Sequence, residues 1–319
     1  MNTPIVLLVF NRPHLTERVF ERVRQAKPSK LFVVADAPRL DRPDEVKKSE
    51  AVKAIIDQVD WDCTVYKNYA ETNLGCKRRI SSGLDWVFEQ VEEAIILEDD
   101  CLPDPSFFSF CESLLEQYRD DSRVMMVSGN NFQFDRPRSQ YDYYFSRYTL
   151  IWGWATWRRA WQKYDGNMQH WKQLRDRNWL DTVLEDQQGV RYWTELFNSV
   201  EQGELDTWDV AWTYTCWAAN GLSIVPNKNL VSNIGFDPLA NNTTETNSPF
   251  DNTPTQPIHL PLRHPPLMIR DVEADRYSQK TQFHLSTIHW YKNKLRKWLV
   301  KNLGFKTAAE RKRLAMNRG

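Results

Sequence analysis

Short, continuous apolar runs alternate with stretches whose apolar residues recur every three or four positions. The run "PIVLLVF" (4–10) predicts a strand buried on both faces. Leu15, Val19, Phe20 and Val23 follow at helical spacing, then "KLFVVAD" (30–36) as a second strand. Val52, Ile55, Ile56 and Val59 mark a helix stripe, and "CTVY" (63–66) a third strand. Ile80, Leu84, Val87, Phe88 and Val91 give a third helix before the fourth strand, "AIIL" (94–97). This βαβαβαβ order predicts an α/β fold with a mostly parallel sheet and helices on both faces. Another helix is signalled by Asp104 as N-cap and Pro105 at N1, with Phe107, Phe108, Cys111, Leu114, Leu115 and Tyr118 as its apolar face.

Ligands of such sheets bind beyond the carboxyl ends of the strands. Three of the four predicted strand ends are polar: Asn11 and Arg12, then Asp36, then Glu98, Asp99 and Asp100. Adjacent carboxylates repel one another at the end of a buried strand. A solvated acidic turn would relieve that repulsion. So would a divalent cation, Mn²⁺ or Mg²⁺, which takes hard oxygen ligands and often only one or two carboxylates besides substrate phosphates. The strand-end position favours the cation. The first strand is followed by neither G-x-G-x-x-G nor D-x-D-x-T, and no G-x-x-x-x-G-K-[ST] occurs, which argues against dinucleotide, haloacid-type phosphatase and P-loop chemistry.

Composition narrows the classes further. The 319 residues, 41% hydrophobic, suffice for one large or two small domains. The five cysteines are scattered without C-x-x-C spacing, which suits reduced thiols better than disulfides or zinc. The N-terminus lacks a basic region and a small-residue cleavage site, and no stretch reaches the roughly 18–20 apolar residues of a membrane span. A cytoplasmic location is expected. Net charge is zero, yet Tyr291–Gly319 holds ten Lys/Arg against Glu310, leaving +9 there and −9 elsewhere. Ile288, Tyr291, Leu295, Trp298, Leu299 and Leu303 form an apolar stripe among those bases. Residues 285–319 therefore read either as a basic amphipathic helix for an anionic membrane surface, peripheral at its inner face, or as a helix docked on the acidic body. Nucleic acid is not an expected partner, because the basic charge is confined to this tail.

"IILEDDCLPDPSFFSFC" resembles the metal-binding motif of GT-A glycosyltransferases, in the Glu-Asp-Asp form of N-acetylglucosaminyltransferase I and of bacterial nucleotide-diphospho-sugar transferases of glycosyltransferase family 2. "NLGCKRRISSGLDWVF" (73–88), "YTLIWGWATWRRAW" (148–161), "DTWDVAWTYTCW" (206–217) and "NLVSNIGF" (229–236) are similar to further segments of that bacterial family, in order. The resemblance spans residues 4 to about 240. It implies a GT-A fold and transfer of a sugar, with inversion, from a nucleoside-diphosphate-sugar donor (a UDP-sugar favoured) to a glycan or lipid-linked acceptor. By the same resemblance Asp100 coordinates the metal, and Glu98 and Asp99 face the ribose and the metal's waters. Phe10, Asn11 and Arg12 line the nucleotide pocket, Asp36 contacts the base, and Lys77 or Arg78, in the segment opened by Asn73, approaches the base or diphosphate.

Inverting transfer needs a general base. The resemblance places it in the Trp-Asp segment, with Asp209 preferred and Asp206 in reserve. If that segment is helical, the two carboxylates share a face; Asp206 also reads as a helix N-cap, which leaves Asp209 as base. Trp154, Trp157 and Trp161 fall at helical spacing and read as core. Trp152 and Trp154, flanking Gly153, are assigned to sugar binding, the glycine permitting close approach.

Residues 235–257 read as a long flexible loop, a lid that would exclude water. Family members often carry Thr-His-Thr soon after the Gly-Phe, where this chain has "ANNT"; His259 and His264 are substitutes or surface residues. The divisions expected are 1–104 for the nucleotide-sugar half, 105–270 for the acceptor half, and 271–319 for the tail. A catalytically silent GT-A-like glycan binder or scaffold is the alternative that "ANNT" motivates. A sugar nucleotidyltransferase is disfavoured by the absence of a Gly-rich basic loop after the first strand.

Overall fold

The structure, a computed structural model, describes residues 1–236 and 248–283. In its first part β1 (Ile5–Val9), α1 (Pro13–Ala26), β2 (Lys30–Ala35), α2 (Pro43–Ile56), β3 (Thr64–Tyr69), α3 (Cys76–Phe88) and β4 (Glu93–Glu98) alternate as expected. Then come β5 (Cys101–Pro103), α4 (Ser106–Gln117), β6 (Val124–Ser128), β7 (Tyr143–Ser146) and β8 (Trp154–Trp157). Four helices follow, α5 (Arg158–Trp161), α6 (Trp171–Asp176), α7 (Leu180–Val183) and α8 (Gln187–Glu201). The last elements are α9 (Asp209–Ala218), β9 (Leu222–Pro226), β10 (Val231–Asn233) and α10 (Val272–Thr281).

The class is α/β, as expected. An eight-stranded sheet runs in the order β3-β2-β1-β4-β8-β6-β9-β7. β1 pairs in parallel with both β2 and β4, and β2 with β3, whereas β8 runs antiparallel to β4 and β6. β5 and β10 form a separate antiparallel pair. β1 and the middles of β2 and β4 are apolar because each face has its own cover. Ile5, Leu7 and Val9 pack with α1, α2 and α4, while Val6 and Leu8 pack with α3 and α9. β3 is longer than its apolar run because it lies at the sheet edge, where Lys67 and Asn68 can face solvent.

A third core holds Trp171, Trp193, Phe197, Tyr214 and Trp217, between α6–α8, α9 and β7. The sheet runs without a break across the expected 104/105 division. α10, expected in the tail, packs on β7 with Asp275 buried. Trp154, Trp157 and Trp161 are core residues, but the helical period was wrong: the first two end a strand and only Trp161 is helical. All three are large enough to be buried from either geometry. The α4 helix starts one residue later than expected. Asp104 still caps it, its Oδ1 accepting from the Ser106 amide at 2.9 Å. Of the expected loop, 248–257 is docked: Phe250 is buried against Phe132, and the Asn252 and Gln256 amides donate to the Asn233 and Asn229 carbonyls. "ANNT" and residues 285–319 lie outside the described residues.

Candidate functional site

The parallel register sets Leu8 beside Glu98, and Val9 beside Ala35. The residues after β1, β2 and β4 therefore emerge along one edge, at the point between β1 and β4 where the winding direction reverses. Open α/β sheets bind ligands at such switch points.

Arg12 occupies the cap position of α1 through its backbone. Its carbonyl accepts from the Leu15 and Thr16 amides at 3.1 and 2.9 Å, with Pro13 opening the helix. The side chain is thereby free to reach the acids. Nη2 pairs with Asp99 and Nη1 with Asp100 Oδ2 at 3.0 Å. Asp99 also accepts from the Phe10 amide at 3.3 Å. Burial opposes the Arg12 charge, but Asp99 and Asp100 outweigh it and raise the guanidinium's pKa.

Glu98 keeps a solvent-facing edge but lies deep in the crevice. Burial first, then Asp100 and Asp99, push its carboxyl up to about 8. Burial likewise lifts Asp99 to about 6, against the pull of Arg12. The repulsion inferred from sequence is thus present, and one arginine offsets part of it.

Asp36 is placed differently from the expectation. Its carboxylate accepts from the Ala37 and Leu74 amides, both at 2.9 Å, from the Gly75 amide at 3.0 Å and from Asn73 Nδ2 at 3.1 Å. Asn73 Nδ2 also donates to the Ala37 carbonyl at 2.7 Å. A carboxylate offers about four acceptor sites, so protein donors fill this one. Asp36 and Asn73 clamp the loop that leads into α3. Lys77, half-buried, and Arg78, exposed, stand in the first turn of that helix, while Arg79 is buried and donates to Asn68.

Asp209 is the first residue of α9, where the helix dipole favours an anion. Thr207 Oγ1 donates to its Oδ1. Asp206 is exposed, precedes the helix and does not cap it, since Trp208 holds the cap position. The shared helical face and the capping argument both fail, because the helix begins at Asp209, past Asp206 and two residues beyond the start that a cap at Asp206 implies. Asp206 instead approaches Gly75, where an added Cβ would lie 2.9 Å from its Oδ2. Cys76, pushed up to about 12 by burial, feels Glu98, Asp209, Asp206 and Asp36 together, which locates all four around one end of α3.

Of the three residues assigned to sugar binding, only Trp152 is not buried; it is half-buried, set against Phe132 and Phe236. Trp154 is 1% exposed and stacks on Trp208 with ring centroids 5.4 Å apart, so it has no face for a sugar. Gly153 has φ +64°, and an added Cβ would lie 2.7 Å from Val231; its missing side chain serves internal packing. His264 is bonded to Tyr143 on β7, four strands from β4 in the sheet order and so about 19 Å across it. His259 is exposed.

Sequence reasoning quoted "NLVSNIGF" but named no residue in it. Asn233 Oδ1 accepts from the Gly235 amide at 2.8 Å, and the Ile234 amide donates to the Asp100 carbonyl at 2.9 Å. An added Cβ on Gly235 would lie 2.2 Å from Asp100 Oδ2. That contact crosses the chain and leaves no periodic signal. The carboxylate oxygens suit a hard cation such as Mn²⁺ or Mg²⁺. Among the described residues no group of three or more His, Cys, Asp or Glu is arranged as a metal cage.

No family model and no curated protein matches the chain. Solved structures give partial likenesses. One is the mannosyltransferase PcManGT from Pyrobaculum calidifontis in complex with GDP-Man and Mn²⁺, at 16% identity and TM-score 0.34, covering 49% of this chain and 44% of that one. A UDP-glucose pyrophosphorylase complexed with UDP-glucose matches at 10% identity and TM-score 0.36, over 71% of this chain and 90% of that one. The galactosyltransferase LgtC, with donor and acceptor sugar analogues, matches at 13% identity and TM-score 0.32, over 55% and 66%. Among the described residues no helix is long and apolar enough to cross a membrane.

Proposed function

We propose that the chain is a glycosyltransferase that uses a nucleoside-diphosphate-sugar and a divalent cation, with a glycan or lipid-linked acceptor and inversion at the sugar carbon. One observation carries this reading: Glu98, Asp99 and Asp100 meet Arg12 at the β1–β4 switch point, with Asp209 close enough to Glu98 to raise its pKa. Three carboxylates against one guanidinium leave an excess of about two negative charges when all are ionised. A divalent cation matches that excess, and a UDP-sugar is the favoured donor.

Asp100 is the carboxylate that would hold the ion, with Glu98 and Asp99 behind it. A bound Mn²⁺ or Mg²⁺ supplies Lewis-acid stabilisation of the departing diphosphate. Lys77 and Arg78, at the positive end of α3, offer the diphosphate further charge. Asp36 acts through the 73–75 loop, fixing where that helix end lies. Phe10 and Asn11 border the nucleotide side. Asp209 takes the acceptor hydroxyl's proton, with Thr207 orienting its carboxylate and Asp206 the reserve base. Trp152 is the aromatic available to the acceptor sugar.

The test is calorimetry with UDP- and GDP-sugars in the presence of Mn²⁺, followed by a donor-hydrolysis assay. Asp100→Ala is expected to lose Mn²⁺-dependent donor binding; unchanged donor affinity would sink the metal assignment. Asp209→Asn is expected to keep binding and lose transfer, and full turnover by that variant moves the base elsewhere. The pairing of Arg12 with both Asp99 and Asp100 favours a second reading, a catalytically silent GT-A-like binder whose acids are already compensated. Donor binding without transfer or hydrolysis in the wild type would select it.

A further inference from the structure

A cavity of about 500 Å³ opens between the start of α8 and the α10 helix, beside the end of β7. Its volume lies within the range of small-molecule sites. β7 is the far edge strand, four strands from β4. The cavity is therefore separate from the crevice that holds Glu98–Asp100.

Arg147 forms its floor. The residue is 7% exposed and arrives directly from β7. Its Nε donates to Asp275 at 3.3 Å and its Nη2 to Glu185 at 2.8 Å. Nη1 is buried and has no hydrogen-bond partner among the described residues. A buried donor left unmet is costly, so native structures fill such positions with protein, water or ligand. Nη1 is itself closed to solvent, and it is Arg147 as a residue that lines the cavity.

The lining sets the ligand's chemistry. Arg147, Arg276 and Lys280 supply three positive charges, and Glu185, Asp186 and Asp275 three negative ones. A balanced wall gives no net pull on an ion. It suits a neutral ligand whose groups both donate and accept, and hydroxyls do both. The aliphatic stems of the arginine, lysine and glutamine side chains add apolar strips that match the C–H faces of a sugar ring. α8 connects this cavity to the main site: Gln187 and Gln188 stand at its mouth, and Tyr192, on the same helix, is close enough to Asp209 for that carboxylate to raise its pKa.

We infer that this cavity is an accessory binding site for a neutral saccharide unit, on the acceptor side of the protein. The choice of a saccharide rests on the proposed glycosyl transfer. The site's existence rests on the cavity and its lining.

The test is saturation-transfer NMR on the full chain without donor or metal, using methyl glycosides of glucose, galactose and mannose, with glucuronate as the charged arm. At least one neutral glycoside should bind. Gln188→Trp and Lys280→Trp block the mouth from α8 and α10 at exposed positions, leaving the buried ion pairs intact. Each should weaken binding at least about tenfold, with melting temperature and donor binding unchanged. Failure of every probe to bind, or equal binding by both blocked variants, overturns the site. Tighter binding of glucuronate than of the neutral glycosides overturns the neutral-ligand assignment. Loss of glycoside binding in Asp100→Ala places the sugar in the main crevice and also overturns the proposal. Because donor binding is measured separately, an inactive enzyme and an absent accessory site give different results.

Discussion

Arg12→Ala isolates the charge arrangement on which the site depends. The substitution leaves the α1 cap in place, because that cap is the backbone carbonyl. It removes the only cation paired with Asp99 and Asp100 in the structure's described ion pairs. The side chains of Asp99, Asp100 and Arg12 are 4%, 12% and 22% exposed, so the pair is closer to buried than to surface. Breaking a buried pair from one side costs about 3–5 kcal/mol, against about 0–1 for an exposed pair. Partial exposure of Arg12 points to the lower end, about 3 kcal/mol. At roughly 2–4 °C per kcal/mol the melting temperature should fall by about 6–12 °C. Lys48→Ala, which breaks an exposed pair with Asp44, is the control and should cost far less.

The pH dependence provides a sharper test. A carboxyl whose folded pKa lies above its unfolded value weakens the fold as pH rises between the two. For Asp99 that window runs from 3.8 to about 6, and for Glu98 from 4.5 to about 8. Arg12 offsets the penalty, so its removal should matter least near pH 5 and most above pH 8. Thermal melts of both proteins at the two pH values read this directly. A melting difference below about 2 °C, or one equal at both pH values, would refute the charge-compensation argument.

Gly235→Ala forces a shift of Asp100 or Arg12, since the new Cβ would lie 2.2 Å from Asp100 Oδ2; calorimetry should show weakened Mn²⁺-dependent donor binding with the fold retained. Asp36→Ala strands the Leu74 and Gly75 amides and should cost about 2–3 kcal/mol in urea unfolding, while raising the donor's KM through misplacement of α3. Asp275 is lifted from 3.8 to about 6 by burial, despite bonds from Ser146 and Arg147. Between pH 4 and 6 the wild type should therefore lose up to about 3 kcal/mol more than Asp275→Asn in parallel urea titrations.

β1, β2 and β4 were legible because each holds a short apolar run buried on both faces, β3 was read only from its short apolar start at the sheet edge, and the acid triplet was legible because it ends one of the buried runs. The remaining strands were not read, since β7 to β10 are short, mixed in polarity and defined by distant pairing. Trp154 and Trp157 misled because their three-residue separation fits a helix as well as a strand's opposite faces. Asp36 was legible as a strand-end acid, but its partners come from residues 73–75, and no local pattern reports that contact. Gly235 was hidden for the same reason, being set against Asp100 from more than a hundred residues away. The start of α9 was misjudged by two residues because Asp206 has the chemistry of a cap and Trp208 does not.

That misjudged start explains what the tryptophans do. Trp208 stacks on Trp154 and lies beside Trp161, while Trp212, one turn further along α9, packs on both Trp154 and Trp161. Trp154 belongs to β8, which is hydrogen-bonded along β4 with Ile96 opposite Trp154. Two residues past Ile96 the same strand ends at Glu98. The candidate base and the acid cluster are therefore joined by a short, fully packed path: β4, β8, Trp154, Trp208, Asp209. Aromatic residues of this size have few rotamers and bury large areas, so they hold the N-terminus of α9 at a fixed height over the crevice. A sugar-stacking role would require one of these rings to face solvent, and burial excludes that for Trp154, Trp208 and Trp212. In the proposed transfer their role is positional: they set the distance between Asp209, the proposed proton acceptor, and the charged end of β4, the distance that a bound donor and acceptor would span.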